Sequence, residues 1–268
     1  GKNFSMTQLL DRQFVQARIG EGGSGISYAE FSYTLIQGYD FLHLYRTYGI
    51  DLQICGADQF GNCTSGIHLI KRLENGAADA WSTPLIIDPV TGRKFGKSEG
   101  NAIWLSPKKT SIFDFYQFWL TQPDQVVDNL IKIYTIYPPE FIIKTLEDHK
   151  KSPELRLAQK LLAKGVTEVV HGEKSATDVE KLSELLFSKQ PDYQLIIESF
   201  SQYLPNVAKD TDLLSALVST GLATSKTDAR KLISAGAVSL NGDKLLDEST
   251  LLTTGLLKKG RNKFAIVS

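Results

Sequence analysis

A long helix followed at once by a strand is the feature that most constrains the fold of this chain. Ser27 and Glu30 have the spacing of a capping box, which starts a helix, and Gly49 is suited to end it. Residues 52–55 then predict a short buried strand, and residues 56–62 a loop at its carboxyl end. Because open α/β sheets bind ligands at the carboxyl ends of their strands, we expect a binding site in this loop.

Three polar side chains recur on one face of the predicted helix. Tyr33, Gln37 and Asp40 stand at positions i, i+4 and i+7, which share a side of a helix. Their neighbours are mostly core-type side chains, and burying each polar group unpaired would cost about 1–3 kcal/mol. The three groups are either satisfied within the core or share a polar ligand, and the pattern alone favours neither. Gly38 between them indicates the close approach of another group.

Two motifs in this region resemble those of one family. Tyr-x-x-x-Gln-x-x-Asp occupies residues 33–40, and Leu-Gln-Ile-x-Gly-x-Asp-Gln-x-Gly-Asn occupies residues 52–62. Together they resemble the tyrosine pocket of the tyrosyl-tRNA synthetases, which are class I aminoacyl-tRNA synthetases. The resemblance covers most of the chain and is weakest between residues 187 and 209.

The resemblance implies roles for the residues of both motifs. Tyr33 and Gln37 would hold the ammonium group of L-tyrosine, and Asp40 would bind its hydroxyl group. The remaining implied contacts are Gln53 in the pocket wall, Gln59 at the carbonyl region of the substrate, and Gly56 and Asp58 at the ribose of the adenylate.

A second loop carries two lysines on either side of a glycine. Lys94, Lys97 and Ser98 belong to the sequence Lys-Phe-Gly-Lys-Ser, and a basic loop of this kind is often only a solvated segment. Here it resembles the Lys-Met-Ser-Lys-Ser loop of class I synthetases, with Phe95 in place of methionine. The resemblance implies that both lysines and Ser98 stabilise the pyrophosphate that leaves ATP, with Mg²⁺ accompanying the nucleotide and no metal site in the protein.

Composition excludes several classes of protein. The chain has 268 residues, with 30 basic and 30 acidic side chains, so no overall charge indicates nucleic-acid binding. Cys55 and Cys63 are the only cysteines, which suits a reducing compartment without a disulfide or zinc framework. No apolar run of about eighteen residues and no signal peptide is present. We therefore expect no membrane association, and location in the cytoplasm or in an organelle matrix.

The beginning of the chain resembles a point inside the family's catalytic domain. Residue 1 is glycine, and the His-Ile-Gly-His motif with which the family binds ATP is absent. We therefore expect a fragment that lacks the amino-terminal part of the enzyme and is inactive by itself.

The rest of the chain predicts helices and then a small mixed module. Five segments have apolar residues at helical spacing: 110–120, 124–135, 139–150, 153–171 and 175–187. From residue 212 to residue 268, two helices, a strand and the turn Asn241-Gly242 resemble the RNA-binding module of the ribosomal-protein S-four type. Lys226, Arg230 and Lys231 would contact RNA there, and this module carries eight basic and five acidic residues. A solvated basic face is the alternative interpretation.

The expected fold class is α/β with three parts. Residues 1–105 would be the second half of a Rossmann-like class I catalytic domain, and residues 106–187 an α-helical domain that receives the anticodon stem. A linker, 188–210, would precede the small α+β RNA-binding domain, 211–268. Tyr28 aligns with the family's dimer interface, although it could equally be a core aromatic residue, and the resemblance implies a homodimer.

The resemblance implies a tyrosine–tRNA ligase whose partners are L-tyrosine, ATP and tRNA(Tyr). A non-catalytic RNA-binding protein derived from a synthetase is the alternative from another functional class. A tryptophanyl-tRNA synthetase is a second alternative, and the Tyr33, Gln37 and Asp40 triplet and the carboxyl-terminal module both argue against it.

Overall fold

A computed structural model describes residues 1–87 and 103–268. The chain divides into two compact units, Gly1–Phe95 and Gly96–Ser268. The loop with Lys94, Lys97 and Ser98 lies outside the described residues. In the part of the chain that is described, no helix is long and apolar enough to cross a membrane.

The described part of the first unit places two long helices beside a pair of parallel strands. Its elements are α1 (Met6–Leu10), α2 (Gln13–Ile19), α3 (Tyr28–Tyr48), β1 (Leu52–Gly56), α4 (Phe60–Glu74) and β2 (Asp79–Thr83). A short 3₁₀ turn, Ala57–Gln59, joins β1 to α4. The predicted helix, strand and following helix are therefore all present.

Helix α3 begins and ends at the predicted residues. The Ser27 side chain accepts a hydrogen bond from the backbone N–H of Glu30, and the Glu30 carboxylate accepts one from the backbone N–H of Ser27. These two bonds satisfy N–H groups that the first turn of a helix leaves without partners. Gly49 follows the last turn with a φ of 69°, which glycine adopts without the steric cost of a side chain.

Helices α3 and α4 pack closely and form the core of this unit. Phe41 and Leu42 of α3 are buried against Leu69 and Ile70 of α4. The close approach indicated by Gly38 is made by α4, because a Cβ atom at Gly38 would lie 2.7 Å from the Cβ of Ser65.

Strands β1 and β2 correct two of the predictions. The expectation of a buried first strand is wrong, since Leu52 and Ile54 are exposed and only the alternate residues are half-buried. The sequence of residues 81–87 predicts a second strand, but β2 ends at Thr83, before Pro84, which has no N–H to donate to a partner strand. The two strands pair in parallel, with Ile54 opposite Trp81.

From residue 103 onward, the second unit begins with five helices, as predicted. They are α5 (Ile112–Leu120), α6 (Asp124–Tyr134), α7 (Pro139–Lys151), α8 (Leu157–His171) and α9 (Glu173–Leu186). One correction concerns the segment 153–171, which does not form a single helix. A 3₁₀ turn, Pro153–Leu155, precedes α8, and Arg156 between them has a φ of 53°, outside the right-handed helical region.

A five-stranded sheet with helices closes the second unit. Its elements are α10 (Tyr193–Phe200), β3 (Asn206–Val207), α11 (Leu213–Ser219), α12 (Lys226–Ser234), β4 (Val238–Leu240), β5 (Asp243–Lys244), β6 (Gly255–Lys259) and β7 (Lys263–Val267). The strand order is β3-β7-β6-β4-β5. Asn241 and Gly242, both with positive φ, make the predicted tight turn between β4 and β5.

The segment 188–210 has more structure than the predicted linker. It contains α10 and also β3, which pairs in parallel with β7 at the edge of the sheet. The strand was not predicted from the sequence, because a two-residue strand has no pattern of its own and exists only through its partner.

Candidate functional site

A cleft of about 630 Å³ lies in the first unit between the amino-terminal half of α3 and the turn that follows β1. It is lined by Ala29, Glu30, Tyr33, Thr34, Asp58, Gln59 and Asn62. The site therefore combines residues of both sequence motifs, because α3 carries the first motif and the turn with the start of α4 carries the second.

A hydrogen-bond network centred on Asn62 joins these elements. The hydroxyl of Thr34 donates to Asn62 Oδ1 at 2.7 Å. Asn62 Nδ2 in turn donates to Gln37 Oε1 and to Gln59 Oε1, at 3.0 Å each. Thr34 and Asn62 are both buried, so the network connects α3, the 3₁₀ turn and α4 through protein groups that water does not reach freely.

The other end of the Gln37 side chain faces a buried thiol. Gln37 Nε2 donates a long hydrogen bond, 4.0 Å, to Cys63 Sγ. Burial raises the pKa of the Cys63 thiol to about 12, and the neighbouring Cys55 thiol adds to the rise. Cys63 is therefore a neutral thiol at physiological pH.

The three polar residues of α3 have different surroundings. Gln37 is half-buried within the network, whereas Tyr33 and Asp40 are exposed. The expectation that the triplet lies among core side chains is thus wrong, since Ile36 and Tyr39 on the same helix are also exposed. Asp40 does not line the cleft.

Glycine at position 56 permits the approach of a carboxylate. A Cβ atom on Gly56 would lie 2.9 Å from Asp58 Oδ1, so a larger residue would displace the Asp58 side chain. Asp58 lines the cleft at the carboxyl end of β1, the position expected from the sequence. Gln53, one of the half-buried residues of β1, has a buried Oε1 without a hydrogen-bond partner among residues 1–87 and 103–268.

Two residues of the network were not predicted. Asn62 is the last residue of the second motif, but the resemblance implies no role for it, and Thr34 is not one of the three specified residues of the first motif. A signal for Thr34 existed, because it lies on the same helical stripe as Gly38 and Phe41, which are buried against α4. A hydroxyl group on a buried stripe requires a partner.

The predicted RNA contacts lie together on α12. Lys226, Arg230 and Lys231 are all exposed. Arg230 Nε donates to the Glu248 carboxylate at 2.8 Å, and both side chains of this ion pair are about half exposed. An exposed pair of this kind contributes little to stability, so the guanidinium can exchange its partner at low cost.

Family models match both units. Residues 1–188 match the model of tRNA synthetases class I (W and Y). Residues 196–268 match the model of the C-terminal domain of tyrosine–tRNA ligase, SYY-like. The first match covers more than half of the chain and defines the class of protein. The chain belongs to the tyrosyl-tRNA synthetase family.

Individual relatives agree with this assignment and with the expected α/β fold class. The tyrosine–tRNA ligases of Escherichia fergusonii and Hamiltonella defensa are 38% and 39% identical over the whole chain, which spans 66% of their length. Crystal structures of C-terminally truncated mitochondrial tyrosyl-tRNA synthetases are also similar. The structure from Coccidioides posadasii has a TM-score of 0.54 at 31% identity, and the match covers 68% of this chain and 52% of the Coccidioides chain. The structure from Aspergillus nidulans has a TM-score of 0.56 at 30% identity, and the match covers 69% of this chain and 52% of the Aspergillus chain.

Proposed function

We propose that this protein is a tyrosine–tRNA ligase. It would join L-tyrosine to ATP as tyrosyl-adenylate, release pyrophosphate, and then transfer the tyrosyl group to the 3′ end of tRNA(Tyr). The observation that carries this proposal is the convergence of Gln37 and Gln59 on Asn62, because Asn62 and Gln59 line one cleft with Tyr33 and Asp58. The chain spans less than two thirds of the length of the curated relatives that it matches. The relatives cited above are both named tyrosine–tRNA ligase, which supports the proposal.

The polar groups of the cleft suit an amino acid. The carbonyl oxygen of Gln37 accepts one bond from Asn62, which leaves it a second lone pair for the ammonium group of the substrate. Tyr33 would add a second oxygen to the ammonium group, and Gln59 would contact the carbonyl region of the substrate. Asp40 would accept the substrate hydroxyl, and an acceptor left without its partner is how such a site rejects phenylalanine, a discrimination for which this family is itself a standard example.

The nucleotide would bind beside the amino acid. Asp58, with Gly56 at the end of β1, would contact the ribose, and Lys94, Lys97 and Ser98 would meet the charge that develops on the leaving pyrophosphate. Mg²⁺ would arrive with the phosphates of ATP, which is its usual mode of binding in nucleotide enzymes. Within the described ranges, no group of three or more His, Cys, Asp or Glu side chains is arranged to hold a metal ion.

The second unit would bind tRNA. We propose that residues 106–187 receive the anticodon stem and that residues 211–268 bind RNA through α12. The segment 188–210 would connect them, and residues 1–105 would belong to the catalytic domain. Tyr28 is 85% exposed, so it is not a core residue, and an exposed aromatic ring is available for the homodimer interface that we propose. The site of action would be the cytoplasm or an organelle matrix, since bacterial and mitochondrial synthetases are both among the relatives.

Pyrophosphate exchange tests the proposal. The full-length protein should exchange labelled pyrophosphate into ATP when tyrosine is present, and should not do so with phenylalanine or tryptophan. Binding of tRNA(Tyr) without any exchange would instead identify a non-catalytic RNA-binding protein. Exchange that depends on tryptophan would identify a tryptophanyl-tRNA synthetase.

A further inference from the structure

We propose that the carboxyl-terminal module binds one phosphate of the RNA backbone in a cavity on the side of its sheet that faces away from α12. This inference rests on the proposed function, because the RNA is taken to be the tRNA that the module would bind. The cavity is separate from the predicted contacts of α12, since it lies across the sheet from them.

The five-stranded sheet has two different faces. Val238 of β4 and Leu257 of β6 belong to the hydrophobic core that the sheet shares with α11 and α12. Successive side chains of a strand point to opposite faces, so Ser239 and Lys258 lie on the other face of the sheet. Helix α10 packs against β6 and covers part of that face.

A cavity of about 300 Å³ opens on this second face. Its lining includes Tyr193 of α10, Ser239 of β4, Lys244 of β5 and Lys258 of β6. Small-molecule sites have volumes of about 300–1,000 Å³, so this cavity is at the lower end of their range. A single phosphate with its sugar is a ligand of suitable size, whereas a folded RNA helix is not.

The register of the strands brings the two lysines to either side of Ser239. Ser239 is paired with Lys244 on β5 and with Lys258 on β6. Neighbouring strands lie about 4.8 Å apart, so the two lysines are about 10 Å apart across the serine. The flexible four-carbon stems of lysine allow both ammonium groups to reach one anion above Ser239.

Both ammonium groups are available to that anion. Within residues 1–87 and 103–268, neither lysine has an ion pair with a carboxylate, and no aspartate or glutamate lines the cavity. Lys244 Nζ lies 3.8 Å from the position of a Cβ atom on Gly236, another lining residue. Lys258 Nζ lies 5.6 Å from the centre of the Phe264 ring, a contact that uses none of its three N–H donors.

Two hydroxyl groups add to the donors of the cavity. Ser239 lies between the lysines, and the Tyr193 hydroxyl lies at the turn between β4 and β5, 3.0 Å from the position of a Cβ atom on Gly242. In the described part of the chain, neither hydroxyl has a hydrogen-bond partner. Lysine, serine and tyrosine side chains are among the groups with which proteins contact nucleic-acid phosphates, and the absence of a lining carboxylate favours an anion.

Binding of tRNA(Tyr) by the full-length protein tests this site. The double variant Lys244→Gln, Lys258→Gln removes both charges, and its affinity at about 0.1 M salt should fall about tenfold. The slope of log affinity against log salt should decrease by about 1, because the two lysines hold a single phosphate. The double variant with arginine at both positions keeps the charges and should retain most of the affinity.

Lys209→Gln is the matched control. Lys209 is exposed and follows β3, which is the edge of the sheet opposite β5, so its loss should change neither the affinity nor the slope. Tyr193→Phe is an independent variant that removes one hydroxyl and no charge. Its tRNA affinity should fall about threefold with an unchanged salt slope.

The outcomes separate this inference from the proposed function. Unchanged tRNA affinity in the glutamine double variant, or an equal loss in Lys209→Gln, overturns the inference. Calorimetric titration with inorganic phosphate provides a second measurement: if the double variant lost phosphate binding but bound tRNA normally, the cavity would hold free phosphate and not RNA, which also overturns it. If the unaltered protein neither binds tRNA(Tyr) nor supports tyrosine-dependent pyrophosphate exchange, the proposed function itself is wrong.

Discussion

Gly38 of α3 lies directly against Ser65 of α4, so closely that a Cβ atom on Gly38 would come within 2.7 Å of the Ser65 Cβ. The same atom would lie 3.1 Å from the backbone of α4, which cannot move aside as a flexible side chain can. This contact keeps the two helices close together. It also supports the candidate site, because Gln37 precedes Gly38 and Asn62 lies one turn before Ser65 in α4.

Gly38→Ala should destabilise the protein, although alanine is the better helix former by about 1 kcal/mol. The added methyl group would force α3 and α4 apart, and overpacking of this kind costs about 1–3 kcal/mol. Over most of that range, the cost exceeds the stability gained from helix propensity. Chemical denaturation should show a net loss of about 1 kcal/mol or more, and tyrosine affinity should fall with it.

Gly61→Ala is the matched control for this prediction. Gly61 also lies within a helix, α4, but nothing is found within 4 Å of the Cβ that it would gain. Its stability should stay the same or increase through helix propensity alone. If both alanine variants were equally stable, the contact between Gly38 and Ser65 would relax without cost and the prediction would be wrong.

The parts of the fold that depend on local signals were predicted well. The ends of α3 follow from Ser27, Glu30 and Gly49, which act within one helical turn, and these predictions are confirmed. The exposure of Ile54 was not predictable, because a strand of apolar residues has the same sequence pattern whether its second face is buried or exposed to solvent. Strand β3 was missed for a related reason: it depends on β7, about sixty residues further along the chain.

The candidate site was predictable only in part. The motifs named Tyr33, Gln37 and Gln59, since their chemistry can be recognised in sequence. The connection through Asn62 depends on three elements meeting in space, and no spacing along the chain reveals it. The direction of each hydrogen bond belongs to the folded structure alone.

Asp40→Ala in the full-length enzyme should weaken the selection of tyrosine over phenylalanine without unfolding the protein. Asp40 is exposed, so its removal leaves no cavity and no buried group without a partner. Pyrophosphate exchange with each amino acid, measured beside thermal unfolding, would separate the two effects. Asp51→Ala removes another exposed carboxylate of the first unit and should change neither the selection nor the unfolding temperature. Normal rejection of phenylalanine by Asp40→Ala would contradict the role assigned to Asp40.

Lys97→Ala should slow adenylate formation and leave tyrosine affinity nearly unchanged. The lysine is expected to stabilise charge that appears only as pyrophosphate departs. Its removal should therefore lower the rate of the chemical step and not the affinity for tyrosine. Single-turnover kinetics and equilibrium binding would measure the two quantities, with Lys108→Ala as a control for the loss of one positive charge. A variant that bound tyrosine poorly but reacted at the normal rate would refute this role.

The Cys63 thiol should make stability fall at high pH. Its pKa is about 12 in the folded protein and near 9 in the unfolded chain, so the folded state retains a proton that the unfolded state releases. The stabilisation is complete below pH 9 and is lost as the pH rises toward 12. Denaturation at several pH values should show this decrease, and it should be smaller in Cys63→Ala. An identical pH dependence in that variant would show that other groups cause the decrease.

The final prediction concerns the exposed cations of α12. Lys226 has no ion pair with a carboxylate in the described part of the chain, whereas Arg230 is held by Glu248 at 2.8 Å. Lys226→Ala should therefore weaken tRNA binding and reduce the slope of log affinity against log salt by about 1, because one phosphate contact and its released counterion are lost.

Glu248→Gln should have the opposite effect on tRNA affinity, since it removes a negative charge and releases the Arg230 guanidinium for phosphate. Glu21→Gln, in the first unit, removes a charge from an exposed carboxylate and should leave the affinity unchanged. Filter binding of tRNA(Tyr) at several salt concentrations would measure all three variants. If Lys226→Ala and Glu248→Gln both bound like the unaltered protein at every salt concentration, α12 would be a solvated basic face with no contact to RNA.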